Sequence, residues 1–282
     1  MNIGIVGLGL IGGSIAKALK KNTPHAVYGA DTDAESLKKA VLVGAIDGEL
    51  KSLAGLDVLI VALYPAATVE YVRENADRIP KNCIVLDTAG VKRAVCGELF
   101  PLAREKGLTF VGGHPMAGVE FSGFDHSREA LFKNASMILV PDKNITIDKL
   151  ELLKELFMSV GFTRIQISTP EEHDKMIALT SQLAHVLSSA YVKSPSALSH
   201  KGFSAGSFRD MTRVAKLNEE MWTELFFDNK ENLLTEIDGL IERLGEYKCA
   251  LYEDDRETMK QLLKEGRERK ALVDKKYEKN NN

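Results

Sequence analysis

The segment from Gly112 to Gly123 has the composition of a site that handles protons. It contains His114 among glycines and beside Pro115, directly after a short apolar run at 109–111. Because the imidazole titrates near neutral pH, it can take a proton from a hydroxyl group while the same carbon loses a hydride. The sequence predicts that His114 is a general base, and the alternative is that it only caps a loop.

Glycines near the start of the chain stand where a dinucleotide phosphate would need them. An apolar run over 3–6 precedes them and a helix-forming run over 15–21 follows, which predicts a strand, a tight turn and a helix. Such glycines allow the turn, the approach of a pyrophosphate and close packing of the helix on the strand. The predicted cofactor-binding residues of this turn are Gly7, Leu8, Gly9, Leu10, Ile11 and Gly12.

An acidic residue closes the predicted second strand. Asp31 follows the apolar run at 26–30, where it can accept hydrogen bonds from the adenosine ribose hydroxyls. Asp33 comes next and the first cation after it is Lys38, so a 2′-phosphate would meet negative charge with no neighbouring cation. The sequence therefore predicts NAD rather than NADP as the cofactor.

Strands and helices alternate through the first part of the chain, which predicts an α/β Rossmann-type, doubly wound and mostly parallel sheet. After residue 169 the apolar residues recur with helical spacing only. We predict an NAD-binding domain over 1–168 and an all-helical substrate and dimerisation domain over 169–282, with a homodimer burying the helical surfaces. The predicted strands are 3–6, 26–30, 58–63, 84–87, 109–111, 137–140 and 164–167.

Composition narrows the class of protein. The 282 residues carry a formal net charge of -3, which gives no electrostatic case for binding nucleic acid or a membrane. No apolar run approaches the roughly 20 residues that cross a bilayer, and the chain enters a strand without a basic leader, so a cytoplasmic location is predicted. The three cysteines lack the spacing of metal ligands, so no metal site is expected.

Motifs in both parts of the chain resemble those of the prephenate dehydrogenases and their arogenate-using relatives. Gly-Gly-His-Pro-Met-Ala-Gly at 112–118 is similar to the catalytic histidine motif of that family, and the resemblance extends over nearly the whole chain. The other similar segments are Glu172-His173-Asp174, Ser181-Gln182-Leu183-Ala184-His185, Ser207 to Arg213, Met221-Trp222 and Asn229 to Asn232. The resemblance implies oxidation of the ring C4 hydroxyl of prephenate by NAD, with loss of carbon dioxide and formation of 4-hydroxyphenylpyruvate, the precursor of tyrosine.

The resemblance also implies roles for single residues. His114 would accept the hydroxyl proton, and Arg213 would bind a substrate carboxylate, to which its fixed fork of donors is suited. Arg209 lies one helical turn before Arg213, where like charges repel each other unless an anion lies between them. We therefore assign Arg209 to substrate binding as well, with a solvated pair screened by Asp210 as the alternative.

Two histidines of the helical part are twelve residues apart. On one continuous α-helix, His173 and His185 would lie about 18 Å apart along the axis and about 120° apart around it, so one small substrate would not contact both. Ser181 shares a face with His185, and we assign both, together with Glu120, to substrate binding. His173 is predicted to be a surface or helix-start residue and only a weaker candidate.

Three positions depart from the family pattern. Many members have a serine that contacts the substrate hydroxyl or the nicotinamide, where this sequence has Gly90. Thr88, which we assign to cofactor binding, or a water takes that role, or the contact is absent. Gln182 and Ala184 replace a histidine and a proline of some relatives, so the sequence leaves the choice between prephenate and arogenate open.

Other functions share part of this pattern. A 3-hydroxyacid dehydrogenase or an imine reductase would have the glycine turn and a helical second domain, but would normally need a lysine or another acid in place of His114. A nucleotide-sensing regulator would keep the glycines and Asp31, but would have no use for His114 together with Arg213.

Overall fold

A single eight-stranded sheet organises the first part of the protein in the computed structural model, which describes residues 1–119 and 121–279. The strands are β1 (Asn2–Val6), β2 (Ala26–Ala30), β3 (Gly48–Glu49), β4 (Val58–Val61), β5 (Ile84–Asp87), β6 (Thr109–Pro115), β7 (Ser136–Pro141) and β8 (Arg164–Ile167). Their order in the sheet is β3-β2-β1-β4-β5-β6-β7-β8. All neighbours are parallel except β6 and β7, which run antiparallel. The predicted doubly wound, mostly parallel sheet is confirmed.

Helices follow most strands and continue after the sheet ends. They are α1 (Leu10–Asn22), α2 (Ala34–Leu42), α3 (Pro65–Asn75), α4 (Arg93–Lys106), α5 (Ile147–Val160), α6 (Pro170–Ile177), α7 (Leu183–Val192), α8 (Gly206–Thr212), α9 (Glu219–Asp228), α10 (Lys230–Tyr252) and α11 (Arg256–Lys279). A π-helical turn, Ala178–Gln182, joins α6 directly to α7. The predicted all-helical second part is confirmed.

The central strands are buried on both faces. Along β4, Val58 and Ile60 belong to one apolar cluster, whereas Leu59 and Val61 belong to a second. Side chains from α1 and α5 complete the first cluster and side chains from α3 and α4 complete the second. Because successive side chains of a strand point to opposite faces, the two clusters are the cores on the two sides of the sheet.

The strand that carries His114 is longer than the sequence predicts. We expected β6 to end at residue 111 with His114 in the loop beyond, but the strand continues to Pro115 and pairs His114 with Ile138 of β7. The glycines before His114 serve close packing rather than a turn. A Cβ atom at Gly113 would overlap the carbonyl oxygen of Asp87, so no side chain fits there. The two-residue strand β3 was also not predicted.

The chain divides by compactness into two units, Met1–Asn232 and Leu233–Asn282. The second unit holds most of α10 together with α11, whose side chains are largely exposed and charged. Over residues 1–119 and 121–279, no helix combines the length and the apolar character that crossing a membrane requires. In the same part of the chain, no group of three or more His, Cys, Asp or Glu side chains is placed to hold a metal ion.

Candidate active site

Two histidines from distant parts of the sequence meet at the end of β6. His114 Nδ1 lies 2.8 Å from His173 Nε2, and His173 Nδ1 lies 2.7 Å from Asp174 Oδ1. We refer to His114, His173 and Asp174 as the histidine relay. His173 lies in the first turn of α6, as predicted, but it is 2% exposed, so the predicted surface position is wrong.

Hydrogen bonds of Asp174 determine which nitrogens of the relay carry protons. Its carboxylate accepts from the backbone N–H of Lys92 (2.7 Å, Oδ1) and of Arg93 (2.8 Å, Oδ2), at the N-terminus of α4. Because a carboxylate only accepts, His173 Nδ1 is the donor to Asp174, and the Nε2 of a neutral His173 is an acceptor. The Nδ1–H of His114 therefore donates to His173, and His114 Nε2 is left with a free lone pair.

Electrostatics keep both imidazoles neutral. Burial lowers the pKa of His114 well below its ordinary range, and the neighbouring His173 and Lys92 lower it further. Burial also lowers the pKa of His173, and the hydrogen bond to Asp174 opposes this change. At neutral pH the relay therefore presents an unprotonated His114 Nε2, which is the form a general base requires.

The backbone of Gly90 lies beside this nitrogen. A Cβ atom at Gly90 would lie 3.9 Å from His114 Nε2 and 3.3 Å from Leu225 Cδ2. A serine side chain at position 90 would therefore stand beside the base and in close contact with Leu225. Thr88 is half-buried just after β5, where its backbone N–H donates to the carbonyl oxygen of Val61.

The π turn changes the expected angle about the helix axis between His173 and His185, which flank it. A π turn contains one residue more than an α-helical turn. The twelve residues from His173 to His185 therefore rotate about the helix axis as eleven α-helical residues do. That rotation is about 20° beyond whole turns, instead of about 120° for twelve α-helical residues. The condition for the predicted angle, one continuous α-helix, is therefore not met, and this count puts the two histidines at nearly the same angle about the helix axis. Ser181, in the π turn itself, is half-buried.

His185 lies in a second cluster with Trp222 and Val214. Its ring centroid is 3.9 Å from that of Trp222, and its Nδ1–H donates to the carbonyl oxygen of Val214 over 3.1 Å. Burial lowers the pKa of His185, the bond to Val214 opposes this, and the charge of Arg213 adds to the lowering. His185 is therefore neutral with Nε2 as an acceptor, and Arg213, which follows α8, is near enough to act on it.

Arg209 is a predicted site residue that lines a cavity to which neither the relay residues nor His185 contribute. Arg209 is exposed, and the volume of this cavity is about 490 Å³. His200, whose ring stacks on Phe208 at 4.6 Å, lines the same cavity. Glu120 lies outside the described residues.

The glycine turn between β1 and α1 has the geometry of a phosphate cradle. Gly7 has a φ of 86°, and a Cβ atom at Gly12 would overlap the carbonyl oxygen of Gly7, so neither position accepts a side chain. A Cβ atom at Gly9 would meet nothing within 4 Å. Leu10 and Ile11 begin α1 and are half-buried, and no acidic residue lies in its first turn. The helix N-terminus is therefore suited to an anion.

Asp31 stands at the end of β2 beside this cradle. Its Oδ2 accepts from the backbone N–H of Leu8 (2.6 Å) and its Oδ1 from that of Asp33 (2.8 Å). A carboxylate has about four acceptor positions, so Asp31 retains capacity for ribose hydroxyls. Asp33 is the N-cap of α2 and accepts from Glu35 and Ser36.

Sequence reasoning missed several buried polar residues that support the relay. Asn229 donates to the carbonyl oxygen of Asp174 (2.8 Å) and to Gln182 Oε1 (2.7 Å), and Gln182 donates to the carbonyl oxygen of Leu225 (2.7 Å). Gln182 is thus hydrogen-bonded both to Asn229 and to the backbone of Leu225. Asp174 and Asn229 were named only as parts of motifs, and no local pattern indicates that they meet.

A phosphate cradle, an acidic residue at the end of β2 and a neutral histidine beyond the central strands are typical of a nicotinamide-dependent dehydrogenase. Comparison with known families agrees. The prephenate dehydrogenase nucleotide-binding domain matches residues 15–166, and the prephenate dehydrogenase dimerization domain matches residues 169–265. The chain belongs to the prephenate dehydrogenase family.

Individual relatives are similar over most of their length. A prephenate dehydrogenase of Bacillus subtilis is 31% identical over 92% of this chain and 72% of its own. The crystal structure of the Aquifex aeolicus prephenate dehydrogenase in complex with hydroxyphenyl propionate and NAD+ has a TM-score of 0.85 and 30% identity, and covers 97% of this chain and 98% of that one. A Synechocystis arogenate dehydrogenase structure has a TM-score of 0.80 and 26% identity, over 97% and 100%.

Asp174→Asn should destabilise the protein by about 1–3 kcal/mol, because an amide offers one acceptor oxygen to three donors and turns its own N–H groups toward at least one of them. Urea unfolding near neutral pH measures the loss. Asp33→Asn is the matched control, since asparagine is an equally good N-cap at the exposed start of α2 and should change stability by a few tenths of a kcal/mol. Equal effects of the two substitutions would contradict the role given to Asp174.

Proposed function

We propose that this protein is an NAD-dependent prephenate dehydrogenase, which oxidises the C4 hydroxyl of prephenate while the ring carboxylate leaves as carbon dioxide. The product is 4-hydroxyphenylpyruvate, a precursor of tyrosine. One observation carries the proposal within this family: the hydrogen bond between His114 Nδ1 and His173 leaves His114 Nε2, beside Gly90, to accept a proton. Family membership and the relatives named above support the same substrate class.

The residues of the glycine turn fit a dinucleotide. We propose that Gly7, Gly9 and Gly12 let the backbone approach the pyrophosphate at the start of α1, and that Asp31 holds the adenosine ribose. Leu8, Leu10 and Ile11 provide the remaining backbone of the turn, and Thr88 lies on the nicotinamide side after β5. When bound, NAD accepts the hydride from the substrate carbon.

The protein's task in the reaction is to hold the substrate and to take one proton. His114 Nε2 accepts the proton of the substrate hydroxyl, and the Nδ1–H bond to His173 keeps the ring in the tautomer that allows this. Asp174 fixes His173 in turn. The lowered pKa of His114 favours return of the proton to the phenolate oxygen that loss of carbon dioxide leaves on the ring, so that the base is ready for another turnover. Aromatisation of the ring drives loss of the carboxylate.

Positive charge near His185 is suited to the anionic substrate. We propose that Arg213 binds a carboxylate and that His185 and Ser181 contact the same molecule, because Arg213 is close enough to shift the pKa of His185. Arg209 and Glu120 are proposed as further contacts from the sequence. Arg209 lines the cavity that it shares with His200.

Arogenate is the second candidate substrate. It differs from prephenate only in an amino group in place of the side-chain keto group, and the arogenate dehydrogenase structure named above has nearly the same fold over its whole length. A 3-hydroxyacid dehydrogenase, an imine reductase or a nucleotide-sensing regulator is disfavoured, because the chain belongs to the prephenate dehydrogenase family.

A homodimer is part of the proposal. The match to a dimerization domain supports it, and so do the apolar side chains that α10 exposes, among them Ile241, Leu244 and Leu251. We also propose that the functional division falls at 168/169, with cofactor binding before it and substrate binding and dimerisation after it. The cytoplasmic location stays a prediction.

Reduction of NAD with alternative substrates tests the proposed function directly. The protein should form NADH with prephenate or arogenate and release carbon dioxide in equal amount, and a 3-hydroxyacid should give no signal. Purified protein and NAD are incubated with one substrate at a time, and the absorbance of NADH is followed. Silence with both cyclohexadienyl substrates would refute the proposal, and the ratio of kcat/KM for the two decides between them.

His114→Asn should lower kcat by roughly 10²- to 10⁴-fold, which is the usual contribution of a general base. NAD affinity, measured by fluorescence titration, should change little because the glycine turn is intact. His25→Asn applies the same substitution to a half-buried histidine near the chain start, outside the relay, and should behave as the unmodified protein. Turnover of His114→Asn within a factor of two of the control would remove His114 from its role.

Arg213→Ala should raise KM for prephenate by roughly tenfold to a hundredfold, because the substrate carboxylate loses a charge-assisted hydrogen bond worth about 1.5–3 kcal/mol. Initial rates over a range of prephenate concentrations give KM. Arg209→Ala, one helical turn earlier, is the comparison, and a smaller rise is expected because Arg209 lines the separate cavity. A normal KM for Arg213→Ala would exclude it as the carboxylate ligand.

A further inference from the structure

A lysine is completely buried next to the histidine relay. Lys92 and Asp87 form an ion pair in which both side chains are 0% exposed, and the proposed reaction uses neither of them. Burying two charges is expensive, and apolar residues of similar size often give an equally stable core. This ion pair is therefore weak evidence for stability, and its place beside the relay suggests another role.

Hydrogen bonds connect Lys92 to both imidazoles through their sequence neighbours. Asp87 Oδ2 accepts from Lys92 Nζ, and Asp87 Oδ1 accepts from the backbone N–H of Gly113 (3.0 Å), the residue before His114. The backbone N–H of Lys92 donates to Asp174, the residue after His173. One residue thus links the strand that holds the first imidazole to the helix that holds the second.

The charged groups around the relay come from three elements. Lys92 precedes α4, Asp87 ends β5 and Asp174 lies on α6. The positive charge of Lys92 acts on both imidazoles and lowers the pKa of each, after the larger effect of burial. Asp174 and Asp87 oppose it at His173, whereas at His114 the charge of Lys92 acts in the same direction as the neighbouring ring of His173.

We propose that Lys92 is a positioning residue for the general base: its ion pair and its backbone bond fix the two imidazoles against each other, and its ammonium opposes protonation of His114. This inference rests on the proposed role of His114. It predicts that Lys92 extends activity toward acidic pH, because His114 must be unprotonated before each turnover.

Two variants remove the cation. Lys92→Met removes it alone and leaves the buried Asp87 carboxylate without a cation, which is strongly destabilising. The double variant Asp87→Asn, Lys92→Met removes the whole ion pair, and replacement of such a pair by neutral groups is often tolerated. The amide oxygen introduced by Asp87→Asn can still accept from the backbone N–H of Gly113, while the backbone N–H of Ala89 loses the acceptor that Asp87 Oδ2 provides (2.9 Å). Lys149→Met is the matched control, because Lys149 donates to Thr109 at the opposite end of β6 (2.5 Å).

The readout is pH dependence, which a purely structural role would not change. In the double variant the acid limb of kcat/KM should move to higher pH, so kcat/KM should fall at acidic pH values at which the unmodified protein keeps its full value. Titration of ¹⁵N-labelled histidines by NMR in the free protein should show the same upward change for His114. Lys149→Met should match the unmodified protein in both measurements.

An unchanged acid limb and an unchanged His114 titration, with only a lower unfolding temperature, would overturn the proposal. The roles of His114 and of Lys92 can fail separately. If His114→Asn keeps its turnover, the proposed role of His114 is wrong. If His114→Asn is inactive and the double variant titrates as the unmodified protein does, only the inference about Lys92 is wrong. The NMR titration requires no substrate and is independent of which cyclohexadienyl compound is used.

Discussion

The hydrogen bond between His114 and His173 is the contact on which the site depends. It joins β6 of the sheet to α6, and it is possible only because Asp174 is held by the N-terminus of α4. Without Asp174 the ring of His173 could rotate or change tautomer, and His114 Nε2 would lose its assigned lone pair. The protonation state of His114 Nε2 thus depends on three elements, which are the sheet, α6 and the loop after β5.

Burial keeps the two imidazoles of this contact neutral, so that His114 can accept a proton. A histidine in water is partly protonated near neutral pH, whereas the buried pair is kept neutral by desolvation and by a cation nearby. The same burial requires partners for Asp174, whose carboxylate accepts from the backbone N–H groups of Lys92 and Arg93 and whose carbonyl oxygen accepts from Asn229. One packed polar network therefore provides both the proton acceptor and the groups that hold it in place.

Patterns over a few residues predicted much of the fold and the cofactor side of the site. The glycine turn and Asp31 depend on local backbone geometry, which the sequence displays directly. The position of His114 in a strand depends on pairing with β7, and glycine-rich sequence is ordinarily typical of a loop. The burial of His173 depends on tertiary packing, and its angle to His185 depends on a π turn that apolar periodicity does not reveal.

Neutron diffraction on crystals of the free protein at neutral pH tests the central claim most directly, because it locates the exchangeable protons of the relay. We expect deuterons on Nδ1 of His114 and on Nδ1 of His173, with none on Nε2 of His114. A deuteron on Nε2 of His114, or a His173 ring turned away from Asp174, would contradict the proposed state of the base.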